Sequence, residues 1–401
     1  MLVTRCVIAV AHTRSFEKAA IVMADVAGQP VSAKTLERMA GDVGRELAQR
    51  RDADPKTDEA LAKTPALPPE LAVVECDGGR IRTREPDRGP GVHLGGKGWN
   101  ETKNACLIRA RRKTFREDPQ PDPPECFCHP EHVAKIADTE ALSVAALANE
   151  EPVPADDAAQ ETTVPVDDWR PKRLVRTVLA SMACAKDFGR QMVREARRRR
   201  FGEALAKAFL GDGLPWNWSI WKKQFADFTP ILDFIHVLSY LFLTAKAVHD
   251  QAGDAWDQYR AWMSGCWRGE VDQVLLELDA WRTKLGPPDD DTPEHDPRRV
   301  VDRTYNYLTH NRERMNYPDY RQAGLPVTTA WMESLVKEIN WRVKGTDMFW
   351  NNPEGAEAIL QIRAAALSDD GRLKTHLQER PGYPFTRRPN PARLTSEEDK
   401  S

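Results

Sequence analysis

Two short apolar segments, one leading to an aspartate and one containing an aspartate, constrain the fold of this chain more than any other feature. Residues 208–210 lead to Asp212, and residues 230–234 contain Asp233. A tryptophan-rich stretch that would be amphipathic as a helix lies between them. A buried strand with a carboxylate at its end often supplies a metal ligand in phosphoryl-transfer folds. Asp212 is therefore a candidate metal ligand, provided that other carboxylates join it.

Length and charge limit the class of protein. The 401 residues suffice for two or three domains, or for one domain with large insertions. The net charge of −3 excludes nucleic-acid binding through overall basicity, so a DNA-binding surface must be a local patch. Seven scattered cysteines indicate a reducing compartment, and we expect a cytoplasmic protein. No apolar run reaches about 18 residues, so no membrane span is predicted.

The first 50 residues are predicted to be helical, with a break near Gly28 and an N-cap at Ser32. Two short helices joined by a turn can form a helix-turn-helix. In that case Lys34 and Arg38 would face a DNA groove. An ordinary helical hairpin with a solvated basic face is the commoner explanation of the same pattern.

A second candidate carboxylate follows a polar linker. Residues 72–76 predict a short strand that ends at Asp77, and Gly78-Gly79 predicts a turn or bulge before a second strand. Glu75 lies on the same face as Asp77 and is its rival. Alternatively, Asp77 is an ordinary turn aspartate before glycine.

Basic residues accompany these segments. Residues 102–115 predict a strand on which Arg109 and Arg111 would lie beside Asp77 and meet a phosphate-bearing substrate, or else form a solvated face. Residues 169–207 are predicted to be helical. That segment contains four consecutive arginines that either contact the DNA backbone or are a solvated helix end: Arg197, Arg198, Arg199 and Arg200.

Two further local groups leave alternatives open. His236, three residues after Asp233, is either a partner of that carboxylate or a core histidine. A cysteine- and histidine-rich segment either binds zinc or is a surface loop with free thiols; it comprises Cys126, Cys128, His129 and His132.

A third carboxylate, Glu333, lies on a predicted amphipathic helix over residues 328–345, capped by Thr328 or Thr329. The pattern as a whole predicts an α/β fold with a mixed sheet flanked by helices, in which Asp77, Asp212 and Glu333 converge. Three such groups can hold two divalent ions about 3.5–4 Å apart. Oxygen ligands favour Mg²⁺, with Mn²⁺ as the alternative.

Six segments of the chain carry a family resemblance, in the order VSAKTLERMAGDVGREL, VVECDGGRIRTRE, FLGDGLPWNWSIW, PILDFIHVLSYL, RMNYPDYRQAGLPVTTAWMES and VKGTDMFWNNPEGAEAILQIRA. On these the chain resembles bacterial insertion-sequence transposases of the DDE type. It is most similar to the ISKra-type branch, which is akin to Mutator-like transposases. The resemblance implies a ribonuclease-H-like core with Asp77, Asp212 and Glu333 as catalytic triad and metal ligands. It also implies an auxiliary role for Asp233 and His236.

The resemblance further implies metal-dependent cleavage and strand transfer at the ends of an element. The expected partners are terminal-repeat and target DNA and further copies of the chain. A ribonuclease-H-like nuclease without strand transfer and an inactive DNA-binding derivative are the alternatives. The expected organisation is an N-terminal helical region (1–50), a linker (51–69), the first part of the core (70–236, with a loop insertion at 117–168), an all-helical insertion (237–325), the final core helices (326–370) and a disordered tail (371–401).

Overall fold

A five-stranded mixed sheet forms the centre of the protein. The computed structural model describes residues 2–52, 67–84, 98–138, 169–344 and 349–380. Most of the linker, more than half of the loop insertion and the end of the tail expected from the sequence lie outside these residues. The strands are β1 (Leu71–Arg82), β2 (Trp99–Arg111), β3 (Lys172–Ser181), β4 (Ala206–Gly211) and β5 (Thr229–Leu232). Their order in the sheet is β3-β2-β1-β4-β5.

The direction of the strands divides the sheet into two halves. β1, β2 and β3 pair antiparallel, whereas β4 and β5 run parallel to β1. Helices cover the sheet, which confirms the predicted α/β class with a mixed sheet flanked by helices. The parallel half brings the carboxyl ends of β1, β4 and β5 to one edge.

The strand that carries Asp77 is longer than predicted. β1 is one continuous strand, and Gly78 and Gly79 pair in register with Lys103 and Thr102 of β2. The prediction of a turn at the two glycines and of a separate second strand is therefore wrong. The ladder with β2 supplies hydrogen-bond partners to these glycines, which outweighs their low preference for strands.

The second difference concerns residues 169–207, where a helix was predicted throughout. Residues Lys172–Ser181 form β3, and helix begins only at Ala185. Leu174, Val178 and Leu179 fit a helical spacing, but their segment also contains Val175 and Thr177, which favour strands. Pairing with β2 decides the outcome, and such pairing is not visible in a local pattern.

The helices surround the sheet and continue into a helical block. They are α1 (Leu2–Ala11), α2 (Phe16–Asp25), α3 (Ala33–Asp52), α4 (Pro130–Ile136), α5 (Ala185–Arg198), α6 (Pro215–Gln224), α7 (Phe234–Val248), α8 (Ala252–Trp267), α9 (Val271–Leu285), α10 (Pro297–Asn311), α11 (Tyr317–Gln322), α12 (Ala330–Val343), α13 (Pro353–Leu367) and α14 (Arg372–Glu379). Residues 237–325 are helical with connecting turns, and their assignment as an insertion stays a prediction. Among the described residues, no helix is both long and apolar enough to cross a membrane.

The two faces of the sheet have separate apolar cores. On one face Val74, Phe209 and their neighbours pack against α5 and α6. On the other face Val73, Leu210 and their neighbours pack in a larger core with α7, α12, α13 and the N-terminal helices. Successive residues of a strand point to opposite faces, so the position of a residue along β1 or β4 decides which core it joins.

The first and last described helices pack beside this larger core. A Cβ on Gly44 of α3 would lie 2.1 Å from the carbonyl oxygen of Ala358 on α13, so the two backbones touch there. Arg342 and Arg363 donate hydrogen bonds to the carbonyls that end α1. The disordered tail predicted from residue 371 is wrong at its start, because α14 buries Leu373, His376 and Leu377.

Candidate active site

Three aspartates lie side by side at the edge where the parallel strands end. Cys76 pairs with Gly211, and Gly211 pairs with Leu232, so Asp77, Asp212 and Asp233 each follow a paired residue by one position. Neighbouring strands are about 4.8 Å apart. The backbone therefore brings three carboxylates to one edge, although their sequence positions are far apart.

The alternation of side chains gives Asp77 and Asp212 a common face. Val73 of β1 and Leu210 of β4 point into the larger core. Asp77 is four residues after Val73 and Asp212 is two residues after Leu210, so both point to the same side. That side is covered by α7 and α12, the helices that carry His236 and Glu333.

Asp233 organises the surroundings of this edge. Its side chain is fully buried and accepts hydrogen bonds from the backbone N–H of Thr329 (2.9 Å) and from the Thr329 hydroxyl (2.7 Å). It also accepts from the Ile235 N–H (3.2 Å) and contacts His236 Nδ1 (2.7 Å). One carboxylate thus caps α7, holds the start of α12 and orients the imidazole of His236.

His236 supplies positive charge to the aspartate group. Burial alone would lower the pKa of His236, but the hydrogen bond and charge of Asp233, together with Asp212 and Asp77, raise it to about 9. The imidazole is therefore protonated at neutral pH. The structure thus favours a partner of the carboxylates over an ordinary core histidine.

The remaining carboxylates carry more negative charge than His236 balances. Burial, and next the charge of Asp212, raise the pKa of Asp77 to about 7. Burial also raises the pKa of Asp212, against the Leu214 N–H and the charge of His236. Shifts in this direction show that the ionised forms are disfavoured, and a cation placed between the two side chains would relieve this cost.

The side chain of Asp212 is fixed by its neighbours in the chain. Its Oδ1 accepts a hydrogen bond from the Leu214 N–H (2.9 Å) and another from the amide of Asn217. Asn217 is fully buried, and its Oδ1 accepts from the thiol of Cys76 at 3.3 Å. Asn217 therefore connects Asp212 to the residue that precedes Asp77.

The helical block fixes the backbone of the same loop. The Tyr307 hydroxyl of α10 donates to the carbonyl of Asp212 (2.8 Å), and its ring stacks on Tyr240 of α7 at 3.9 Å. Gly213 has φ of +96°, and a Cβ there would come within 2.5 Å of the Tyr307 ring. Only glycine satisfies both the backbone angle and this close approach.

The third predicted ligand does not complete the group. Charge interactions link Glu333 to Asp233 and His236, and burial and Asp233 raise its pKa. In the described part of the chain, no three His, Cys, Asp or Glu side chains come together closely enough to hold a metal ion. Carboxylate oxygens suit Mg²⁺, so Asp77 and Asp212 have the donor chemistry for such an ion. The full set of three ligands stays a prediction.

Glu75 is a second acidic group beneath the site. It is fully buried on β1, and neither carboxyl oxygen has a hydrogen-bond partner among the described residues. The Met332 N–H lies near, but it donates to the carbonyl of Thr329 (2.8 Å). Burial and the charge of Asp233 raise the pKa of Glu75 well above its usual value. It belongs to the interior and not to the open edge.

Two of the predicted basic contacts lie far from the aspartates. Arg109 is opposite Ala72 in the ladder, whereas Asp77 is opposite Asn104. Five residues along a strand correspond to about 17 Å. Arg109 instead donates to the carbonyl of Leu67 (3.1 Å), and Arg111 lies still further along β2. Their predicted position beside Asp77 is wrong, because antiparallel register carries them to the other end of the sheet.

The four-arginine run separates into different environments. Arg199 is buried, and it binds Glu195 (3.2 Å) and Asp370, so its predicted contact with DNA is wrong. Arg198 binds Glu195 at 3.0 Å and is partly exposed, and Arg200 binds Glu203. Arg197 is exposed.

The other sequence candidates have simpler outcomes. Lys34 and Arg38 are exposed on α3, and Lys34 pairs with Glu37 at 2.8 Å, so DNA binding by this helix stays a prediction. The cysteine- and histidine-rich segment forms no cluster that could hold a metal ion among the described residues. Its members are Cys126, Cys128, His129 and His132, and both cysteines are free thiols. Phe127 packs this segment against Phe234 and Trp267, with ring centres 5.8 Å and 6.2 Å apart, respectively.

Sequence reasoning did not identify Asn217, Tyr307 or Thr329 as parts of the site. Asn217 is five residues after Asp212, at a spacing that a helix start can bring back to the strand end, and this was the available signal. Tyr307 is 95 residues from Asp212 and Thr329 is 96 residues from Asp233, and no local pattern predicts such contacts.

Comparisons with known proteins give a distant similarity. No protein-family model and no curated protein matches the chain. A solved structure, the Drosophila P element transposase strand transfer complex, aligns over 92% of both chains with 10% identity and a TM-score of 0.34. At this TM-score the similarity does not assign a fold, and it gives no support to the ISKra-type branch.

Proposed function

We propose that the protein is a metal-dependent DNA-processing enzyme that cuts and rejoins strands as DDE-type transposases do, on a ribonuclease-H-like core. One observation carries the proposal. Asp77 and Asp212 share one face at the carboxyl ends of adjacent parallel strands, beside the protonated His236. A cation between the two half-buried carboxylates would relieve the cost of ionising them, and metal ions held by such carboxylates act on phosphodiesters.

In this proposal Asp77 and Asp212 hold Mg²⁺ or Mn²⁺, with Glu333 as the third ligand. The bound ions would activate the attacking oxygen and stabilise the leaving one on a phosphodiester. Asn217 and Tyr307 fix the carboxylate and carbonyl of Asp212. These contacts hold the pair in place before any substrate arrives, which lowers the cost of orienting it.

Asp233 and His236 act through position and charge. Asp233 ties the start of α12, and hence Glu333 in its first turn, to the end of β5. The imidazolium of His236 offsets part of the negative charge of Asp77 and Asp212. A substrate phosphate therefore meets a less repulsive edge than three ionised aspartates would present.

The test is strand transfer with a duplex that carries the sequences flanking the gene. We expect activity with Mg²⁺, and a loss of about 10³-fold or more in Asp212→Asn, since the variant loses an anionic ligand. Asp254→Asn, which changes an exposed aspartate on α8, is the matched control and should keep full activity. Equal activity of wild type and Asp212→Asn would contradict the proposed mechanism.

A non-catalytic DNA-binding protein is the second candidate. The arrangement of Glu333, which interacts with Asp233 and His236 and completes no described three-residue group, favours it. It predicts DNA binding without cleavage at any concentration of Mg²⁺ or Mn²⁺. Nicking without strand transfer would instead support a nuclease on the same site.

A further inference from the structure

Two cavities adjoin each other along α5. The larger has a volume of about 890 Å³ and is lined by α5, the end of α3 and the start of α13. The smaller, of about 460 Å³, is lined by β2, the β3–α5 turn and Trp216. Met182 and Ala183 form part of both walls. The two cavities are therefore neighbours across the β3–α5 turn.

The larger cavity has arginines along one wall. Arg190, Arg194 and Arg197 lie on α5 at spacings of four and three residues, so their side chains occupy one face on successive turns. Successive turns rise by about 5.4 Å. Arg190 and Arg197 are exposed, and Arg194 is partly exposed. The wall therefore presents a row of cations to the cavity.

Acidic groups in the same cavity are mostly paired. Glu357 binds Arg51 at 2.6 Å and accepts the Ser181 hydroxyl and the Met182 N–H. Asp187 lies 3.4 Å from Arg190. Glu354 also lines the cavity. Arg197 has no ion pair or hydrogen bond from its side chain to any described residue, which leaves its charge for an external anion.

The smaller cavity contains an aromatic ring and a lysine near the end of β1, on the face of the sheet opposite the Asp77 side chain. Lys103 is opposite Gly78 in the ladder, one residue from Asp77, and its Nζ lies 5.7 Å from the Trp216 ring centre. Trp216 follows Asp212 by four residues and is partly exposed. The Lys103 ammonium also pairs with Glu101 at 2.7 Å. An aromatic face with cations nearby is a stacking platform for a base.

We propose that the two cavities together bind one strand of DNA, with a base on Trp216 and the following phosphates along Arg190, Arg194 and Arg197. This rests on the proposed function, because it names a path for one strand of the DNA that the enzyme would process. A row of arginines beside a partly exposed aromatic ring is a combination that binds single strands without sequence preference. Of the four consecutive arginines that the sequence offered as DNA contacts, only Arg197 lines these cavities.

Binding without cleavage tests the proposal. The full chain is titrated in EDTA with a fluorescein-labelled 20-nucleotide single strand, and anisotropy is measured at several salt concentrations. We expect Arg190→Ala/Arg197→Ala to bind about 10-fold more weakly and to lower the salt slope by about 1.4, the value for two lost phosphate contacts on a single strand. Trp216→Ala should weaken binding about fivefold or more without changing the slope.

The matched control changes the same charge elsewhere. Arg260→Ala/Arg312→Ala removes two exposed arginines of the helical block that line neither cavity, and it should bind like wild type. Equal losses in the two double variants would overturn the cavity as the binding path, and so would a loss confined to duplex DNA. Wild type that binds no DNA at all would overturn the proposed function itself. Arg197→Ala alone keeps the test valid if the double variant fails to fold.

Discussion

Two groups of buried charges in this protein have opposite electrostatic characters. At the end of α5, Glu195 binds Arg198 (3.0 Å), Arg199 (3.2 Å) and Arg372 (2.6 Å), so its negative charge is matched by cations. At the aspartate edge, Asp77, Asp212 and Asp233 share one His236. The first group is a closed network, in which cations balance the carboxylate. The second group carries more negative charge than His236 balances.

The pKa values express this difference. Burial acts to raise the pKa of Glu195, but the three arginines lower it to about 2. Burial and Asp212 raise the pKa of Asp77 to about 7. A paired carboxylate stabilises the fold when ionised, whereas an unbalanced one costs stability when ionised. Perturbed pKa values of the second kind cluster at functional sites, and this difference supports the proposal that the aspartate edge binds a cation and substrate.

The largest change in the free energy of unfolding is expected when the closed network around Glu195 is broken. Because the folded pKa of Glu195 is depressed, its contribution is present above its unfolded pKa of 4.5 and is lost as pH falls toward about 2. At 1.36 kcal/mol per unit, Glu195→Gln should lower the free energy of unfolding at pH 7 by about 3 kcal/mol. Urea unfolding from pH 7 to pH 3 measures this, and the variant should show a weaker loss between pH 4.5 and 3.

An exposed pair provides the control for Glu195. Glu203→Gln removes the carboxylate that binds the partly exposed Arg200, and it should change stability by less than about 1 kcal/mol. If both variants lose the same free energy, the arginines around Glu195 do not stabilise it beyond an ordinary surface pair.

At the aspartate edge, removing a carboxylate charge is expected to raise the free energy of unfolding instead of lowering it. The folded pKa of Asp77 is raised from 3.8 to about 7, so its ionisation costs stability that is absent below pH 3.8 and complete above pH 7. In EDTA at pH 8, Asp77→Asn should therefore be more stable than wild type by about 2 kcal/mol, half the full conversion because water reaches the site.

Repeating the stability measurement of Asp77→Asn and wild type with added Mg²⁺ tests whether the aspartate edge binds a cation. An ion that binds only the folded wild type stabilises it by mass action, so the advantage of Asp77→Asn should shrink as Mg²⁺ is raised to millimolar concentration. Asp254→Asn should follow wild type under both conditions. A variant less stable than wild type in EDTA would show that Asp77 is compensated within the protein.

The smallest expected effect concerns the contact that joins the helical block to the edge. Tyr307→Phe removes the hydrogen bond to the carbonyl of Asp212 while the ring keeps its stacking on Tyr240. We expect about 1 kcal/mol of lost stability and a severalfold weaker affinity for Mn²⁺, measured by calorimetry. Tyr305→Phe, whose ring lies under Arg282, is the matched control. Unchanged Mn²⁺ affinity would restrict Tyr307 to a structural role.

Much of the fold could be predicted where local signals were sufficient. The strand leading to Asp212 and the helix after Thr329 lie where the sequence placed them, because apolar runs and capping residues act over a few positions. The predictions of a helix over Lys172–Ser181 and of a turn at Gly78 were wrong, because pairing with β2 outweighs local preference in both segments.

The sequence by itself determined that aspartates follow buried strands and that a helical segment separates them from Glu333. Only the tertiary structure decided that Asp77, Asp212 and Asp233 follow strand residues that pair in register. It also decided that Arg199 is buried while Arg197 is exposed, and that Tyr307 donates a hydrogen bond to the carbonyl of Asp212. The physical reason is that these facts depend on strand register and on contacts between segments about 100 residues apart. Such contacts leave no periodic trace in the segments that make them.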